Sequence, residues 1–234
     1  MVTTTGMDRR DTLTRRRVLE AAVQLADREG VGSVSMRRLG QELGVEAMSL
    51  YTHVRSKDDL LDGIVEAIFG ELPSPGGTGD WKALLRRTIL DARTVLLRHP
   101  WAPDVIETRA APGPAMLQQY DRVMGILREG GFSIALTHHA LHLLGSRLLG
   151  FTRELFDDSP ELPPDQVAAF ASHLAPTHPY VAEMALAGTH DEALGRCDTN
   201  LDFAFSLNII LDGLERLRSA ETDEPSKADR ARQR

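Results

Sequence analysis

Apolar positions recur three and four apart along almost the whole chain, and no stretch alternates with the two-residue period of a strand, so the pattern predicts an all-α protein. Val18, Ala22, Leu25 and Ala26 form the first stripe, which closes at a glycine turn. Leu39 and Leu43 form the second, over a helix from Met36 to about Leu43 with Ser35 as its N-cap and Gly44 as the left-handed residue that ends it. Val45, Leu50 and Val54 continue the stripe through a third helix, and Gly40 leaves room for the second and third to cross closely. Leu60, Leu61, Ile64, Val65 and Ile68 mark a helix over 57–71, which must end at L-P-S-P-G-G-T-G. Further helices are predicted at about 80–98, 101–108, 114–129, 133–157, 164–187 with a break near Pro176 and Pro179, and 198–219. The closing T-D-E-P-S-K-A-D-R-A-R-Q-R is charged and poor in apolar residues, which predicts a disordered tail over 221–234.

Two short helices about a glycine turn, followed by a third, have helix-turn-helix geometry. The outward face of the second helix of this pair carries Ala47, Met48, Ser49, Tyr51 and Thr52, which are small, hydroxyl-bearing or aromatic. Such side chains meet thymine methyls and base edges in a major groove by apolar contact or single hydrogen bonds. Tyr51, Thr52, His53 and Lys57 lie where a helix end and its following turn pass the phosphates. The same geometry also occurs as plain packing, so the residues after the helix have to decide between the two.

L-Y-T-H-V-R-S-K-D-D-L-L at residues 50–61 closely resembles the signature L-Y-x-H-[VF]-x-[SN]-K-x-x-L-L of the tetracycline-repressor (TetR) family of transcriptional regulators. Residues 14–34 resemble that family's first helix and its closing glycine turn. The resemblance implies that Arg37 contacts bases or phosphate, that Ala47, Met48, Ser49 and Thr52 read bases, and that Tyr51, His53 and Lys57 hold the backbone. Tetracycline-binding members carry Gln, Pro and Trp where this chain has Ala47, Met48 and Thr52, so a different operator is expected. The implied organisation is a flexible basic arm over 1–11, a three-helix DNA-binding domain over 12–56, and a larger helical ligand-binding and dimerisation domain over 57–220 that begins with the connecting helix 57–71.

Charge fits this division once it is split along the chain. The net charge of −7 looks wrong for a nucleic-acid binder, yet residues 1–60 carry 10 Lys and Arg against 9 Asp and Glu, whereas residues 61–234 carry 17 against 25. An acidic body is compatible with DNA binding when it faces away from the phosphates, and Arg9, Arg10, Arg15, Arg16 and Arg17 make either a basic arm near them or a solvated terminus. No apolar run approaches the roughly 20 residues of a membrane span, residues 1–17 are too polar for a signal peptide, and a single cysteine, Cys197, excludes an internal disulfide. A cytoplasmic protein with no membrane partner is expected.

The body offers two long apolar helices for self-association. Residues 133–157 carry Leu136, Leu143 and Leu148, and residues 198–219 carry Phe205, Ile210 and Leu214. Two helices from each subunit would build a four-helix bundle, the dimer interface usual in the family, and a dimer would set two reading helices one DNA turn apart on a palindrome. Short segments E-T-R (107–109), R-E-G-G-F-S-I (128–134) and F-A-F-S-L-N-I-I-L-D-G-L-E (203–215) also resemble the C-terminal domain of the tetracycline-binding members. Those members hold magnesium on a histidine two residues before the segment matching E-T-R, and here that residue is Val105, so magnesium-tetracycline is not the expected inducer. Leu85, Ile89, Trp101, Val105, Ile106, Met116 and Val123, with Thr108 and Arg109 for polarity, would instead line a pocket for a largely apolar small molecule, or else serve as core.

His138 and His142 stand one helical turn apart with His139 beside them, a spacing that can bind a transition metal, but no carboxylate or cysteine nearby completes a set. Surface histidines are the expectation, with metal sensing as the alternative, and no metal or other cofactor is called for. An enzyme reading finds no Gly-rich phosphate loop and no G-x-S-x-G elbow. A sequence-tolerant architectural DNA-binding protein would need more basic charge than residues 1–60 carry. The expected function is a ligand-responsive repressor that binds a palindromic operator in double-stranded DNA as a homodimer and is released by a small-molecule effector.

Overall fold

The computed structural model describes residues 13–73, 79–150, 163–187 and 199–223, and every regular element among them is helical. Several helices start where a short polar side chain can accept a hydrogen bond from the first turn. Thr14 accepts from the Arg17 amide at α1 (Arg15–Glu29), Ser35 from Arg38 at α2 (Met36–Leu43), and Ser56 from Asp59 at α4 (Lys57–Gly70). Asp80 does the same through Ala83 for α5 (Trp81–Arg98), while α7 (Pro114–Glu129) opens on proline, whose missing N–H costs nothing there. The short α3 (Ala47–Leu50) and α6 (Ala102–Glu107) complete the first part of the chain.

The third helix is shorter than the run from Val45 to Val54 predicted. Val45 sits in the turn, its amide donating to Gly40 O at 2.9 Å, and after Leu50 the chain passes through turns at 51–53. Two requirements end α3 early. Val54 has to reach the core, where it is fully buried, and Ser56 must adopt the extended conformation (φ −156°) of an N-cap.

Packing divides the chain into two compact units between Gly130 and Gly131. In the first, α1 packs on α2 and α4, α4 on α6 and α7, and α5 on α7. Val18, Leu25, Leu39, Leu50, Val54, Leu60 and Ile64 are wholly buried, so the apolar positions read from the sequence for the first four helices share one core. In packing terms, the helices from α4 to α7 therefore belong to the same unit as α1 to α3.

The second unit holds α8 (Ile134–Gly150), α9 (Pro164–Leu174), α10 (Pro179–Ala187) and α11 (Thr199–Asp223). The break expected near the two prolines falls at 175–178, between α9 and α10. Along α11, Phe203, Leu207, Leu211 and Leu214 turn inward, and α8 contributes Leu136, Ala140 and Leu144 to the buried set. The Ser133 hydroxyl donates to Glu221 Oε1 at 2.7 Å, which ties the start of α8 to the last turns of α11 and helps carry that helix past 219, where the apolar pattern stops. Residues 221–223, expected in the tail, are the last residues of α11, whereas residues 151–157 of the predicted eighth helix, residue 198, Cys197 and the rest of the expected tail, 224–234, lie outside the described residues.

Candidate nucleic-acid interface

The reader is built from a glycine outward. Gly44 closes α2 with φ +66°, the left-handed conformation that favours glycine. A Cβ at Gly40 would lie 2.8 Å from Val45 O and 3.2 Å from Ala47 N, so glycine there is what lets α2 and α3 cross as closely as they do. Leu39 and Leu50 fill the space beneath, and the opposite face of α3 is left to solvent.

That face places the expected reading residues together. Met48 is 75% exposed and Tyr51 45%, far outside what a core role would leave. Thr52, Arg37 on α2 and Lys57 at the start of α4 are exposed, while Ala47, Ser49 and His53 are half-buried. Two hydroxyls are already committed: Ser49 Oγ donates to Glu46 O at 2.6 Å and Thr52 Oγ1 donates to Ser49 O at 2.7 Å.

Around the face, charge is used as bracing. Arg38 pairs with Glu29 at 2.7 Å and Arg28 with Glu42 at 2.6 Å, fastening α1 to α2 and leaving the adjacent Arg37 to project. The Arg38 hydrogen bond holds the Glu29 carboxyl below its usual range. Arg15, grouped by sequence with the basic arm, instead donates to His53 O at 2.8 Å and to Asp59 Oδ1 at 2.8 Å. Arg16 pairs with Glu20 in the next turn of α1, and Arg9 and Arg10 lie outside the described residues. Asp59 also accepts from the Arg55 amide at 2.8 Å, and the Arg15 bond, followed by this one, draws its carboxyl down to about 2. The entry to α1, the end of the reading segment and α4 are thus one fastened corner.

The expected effector residues fall into two groups. Leu85, Ile89, Val105, Met116 and Val123 are buried apolar side chains, whereas Thr108 is exposed and Arg109 part-buried. Trp101 has a more definite partner: its indole N–H donates to Asp27 Oδ1 at 2.7 Å, and His99 Nδ1 meets the same oxygen at 2.8 Å. His99 Nε2 lies 3.4 Å from the Glu71 carboxylate, so the corner after α5 is clamped to the ends of α1 and α4. Arg109, immediately after α6, reaches α4, with Nη1 3.2 Å from Asp62 and 3.5 Å from Asp58. Beside it, a cavity of about 470 Å³ opens between α1, α4 and the 109–116 segment, lined by Leu19, Val65, Glu66 and Met116 among others. Of the expected effector residues, Arg109 and Met116 line it.

In the second unit, the expected dimer residues divide by face. Leu136 and Leu214 are buried inside the unit, Leu148 and Ile210 are half-buried, and Leu143 and Phe205 are exposed at 47% and 66%. Phe205 shares its outward stripe with Leu201 and Ile209, four residues to either side. His138 and His142 are exposed with ring centres 4.6 Å apart, and among the described residues no group of three His, Cys, Asp or Glu gathers to hold a metal.

Residues 18–64 match the family described as bacterial regulatory proteins, tetR family, and residues 72–218 match the tetracyclin repressor-like C-terminal domain. The chain belongs to the TetR family. It is 31% identical over 172 residues to the class D tetracycline repressor of Escherichia coli, a match covering 70% of this chain and 76% of that one. It is 41% identical over 124 residues to an HTH-type transcriptional regulator of Saccharopolyspora erythraea, where the match covers 53% of this chain and 52%, about half, of that protein's length. Among solved structures, apo ActR from Streptomyces coelicolor superposes with a TM-score of 0.73 at 27% identity, covering 92% of this chain and 100% of that one. These relatives are regulators of transcription, not enzymes, and nothing among them supports a metal sensor built on His138 and His142. The all-α architecture expected from the apolar pattern is the TetR-family architecture. No helix among the described residues is long and apolar enough to cross a membrane.

Sequence reasoning missed the carboxylates that this TetR-family chain uses as anchors. Asp59 had a signal, since an acidic residue three after the Ser56 cap is a capping-box pattern. Asp27, Glu71 and His99 had none, because their partners lie 28 and 72 residues away.

Proposed function

We propose that this TetR-family chain is a repressor that binds a palindromic operator as a homodimer and leaves it when a small, largely apolar effector binds. The observation that carries the reading is the α3 face, where Met48 is 75% exposed on a short helix, with Arg28 and Arg38 behind it paired to Glu42 and Glu29 and with Arg37 and Lys57 left exposed. A major groove offers thymine methyls to such a side chain. Arg37, Tyr51, His53 and Lys57 surround it and can meet phosphate or base edges, with Ala47, Ser49 and Thr52 beside Met48.

The dimer rests on α11. Leu201, Phe205 and Ile209 form an outward apolar stripe opposite the buried one, and a second copy is the partner that would cover it with Leu143 and Leu148 of α8. The effector site is assigned to the buried apolar side chains Leu85 and Ile89 of α5, Val105 of α6 and Met116 and Val123 of α7, with Trp101, Thr108 and Arg109 supplying polar groups. ActR, at 25% identity and a TM-score of 0.70, has been solved in complex with actinorhodin, which supports a small-molecule effector here. Val105 offers no ligand to magnesium.

Arg109 gives the effector a route to the reader. Its guanidinium holds Asp58 and Asp62 on α4, next to Lys57, so an effector that draws the 108–109 segment away releases the first turns of that helix. The separation of the two readers then changes and operator affinity falls. Linkage requires operator DNA to weaken effector binding by the same factor.

Recovery and sequencing of genomic fragments bound by the purified protein tests this. A short palindrome enriched by the wild type and lost in both Tyr51→Ala and Lys57→Ala is the expected result, and uniform recovery by all three would overturn it.

A further inference from the structure

The reader face is short of hydrogen-bond donors. Between Glu46 and Thr52 no side chain carries nitrogen, and two of the three hydroxyls spend their protons inside the helix, Ser49 on Glu46 O at 2.6 Å and Thr52 on Ser49 O at 2.7 Å, which leaves the Tyr51 phenol, assigned above to the DNA backbone, as the remaining donor. A carbonyl cannot donate, so the direction of both bonds is fixed by chemistry, and each hydroxyl oxygen keeps only lone pairs to offer outward. Glu46, exposed at the start of α3, adds another acceptor and is repelled by phosphate. Met48, 75% exposed, is purely apolar toward a base edge.

An acceptor and an apolar group side by side fit one kind of base pair. In the major groove guanine shows two acceptors, which face acceptor hydroxyls unfavourably. Cytosine shows an amino donor without a methyl, whereas an A·T pair shows the adenine amino group and the thymine methyl together. Resting on the operator-binding reading above, we infer that α3 selects A·T pairs at the centre of each half-site, Ser49 and Thr52 accepting from the adenine amino group while Met48 packs on the thymine methyl. Arg37, on α2, is left to supply any guanine contact at the edge of the half-site.

Base analogues test this on the operator the wild type recovers. Deoxyuridine in place of each thymine removes only the methyl, and deoxyribosyl purine in place of each adenine removes only the amino group. At one symmetric pair of positions, deoxyuridine is expected to weaken binding roughly fourfold per half-site, the value of one buried methyl-sized group. Met48→Ala, a change at an exposed position, should bind the thymine and uracil duplexes equally. Thr52→Val and Ser49→Ala should likewise lose sensitivity to the purine analogue. Wild-type indifference to every analogue, on an operator that Tyr51→Ala and Lys57→Ala still fail to bind, would overturn the inference and leave the regulator reading standing. Failure to recover any operator would sink both.

Discussion

The reader and the second unit treat their surfaces in opposite ways. In the reader, charged side chains near the recognition face are paired across helices, Arg28 with Glu42, Arg38 with Glu29 and Arg15 with Asp59, and Met48 is the one strongly exposed aliphatic side chain between Arg15 and Gly70. Along α11 the exposure is continuous instead: Leu201, Phe205, Ile209 and Leu217 are each more than half exposed, opposite a buried stripe on the same helix. A helix apolar on both sides is finished only when its outer side meets something. The difference teaches that the reader is folded to present a shape, whereas α11 leaves open the apolar face on which the proposed second copy would sit.

The comparison breaks most directly at Phe205. A glutamate there places a charge in the centre of the proposed dimer stripe without touching the inward residues, and removal of a central aromatic anchor is expected to weaken association by about a hundredfold. Sedimentation at micromolar concentration should show monomer in place of dimer with helix content retained, and operator binding should fall with it. Persistence of the dimer would remove α11 from the interface.

The next largest effect belongs to the reader. In Gly40→Ala the new methyl meets Val45 O at 2.8 Å, a backbone atom that cannot rotate away, so α2 and α3 must separate. Overpacking of this kind costs about 2 kcal/mol, which thermal unfolding would register. Operator affinity should suffer more than stability alone accounts for, because the angle between the two helices sets where Met48 and Tyr51 point. By contrast, Gly44 accepts a side chain sterically but not conformationally, with nothing within 4 Å and φ at +66°.

These two glycines show what was legible from sequence and why. A left-handed cap and a close helix crossing are local demands, visible as glycine at a fixed place in an apolar period, and the helix boundaries of α2, α5, α6 and α7 followed from similarly local signals. The exposed set Arg37, Met48, Tyr51, Thr52 and Lys57 was legible because a helix has to put its apolar stripe on one side. What was not legible depends on pairing at a distance. Arg15 read as part of a cationic arm until Asp59, 44 residues on, turned out to hold it. Trp101 read as an effector contact or, in preference, as core, and only the fold reveals the carboxylate that its indole N–H meets. Likewise Leu136 and Phe205 look alike in sequence, and burial separates them.

Trp101→Phe sharpens the contrast at an intermediate size. It keeps the aromatic volume but removes one of two donors from Asp27 Oδ1, leaving His99 alone. Loss of a hydrogen bond to a charged group costs about 1.5 kcal/mol. The expected result is a lower unfolding midpoint with operator specificity unchanged, since none of the clamp residues lies on the α3 face. A shift in effector affinity larger than the change in stability would instead place Trp101 in the effector site.

The smallest effect is also the one whose sign can be worked out in advance. Asp59 titrates at about 2 in the folded chain against an ordinary 3.8, chiefly through the Arg15 bond. A depressed carboxyl stabilises the fold above its unfolded value and loses that contribution as pH falls through the folded one, so the loss is confined between roughly pH 4 and pH 2. Solvent reaches Arg15, so screening reduces the contribution to about 1 kcal/mol. Acid titration of unfolding stability should therefore show a step in that interval that is absent in Asp59→Asn. A variant that kept the step would mean that other carboxylates, Glu29 among them, carry the acid sensitivity of the reader.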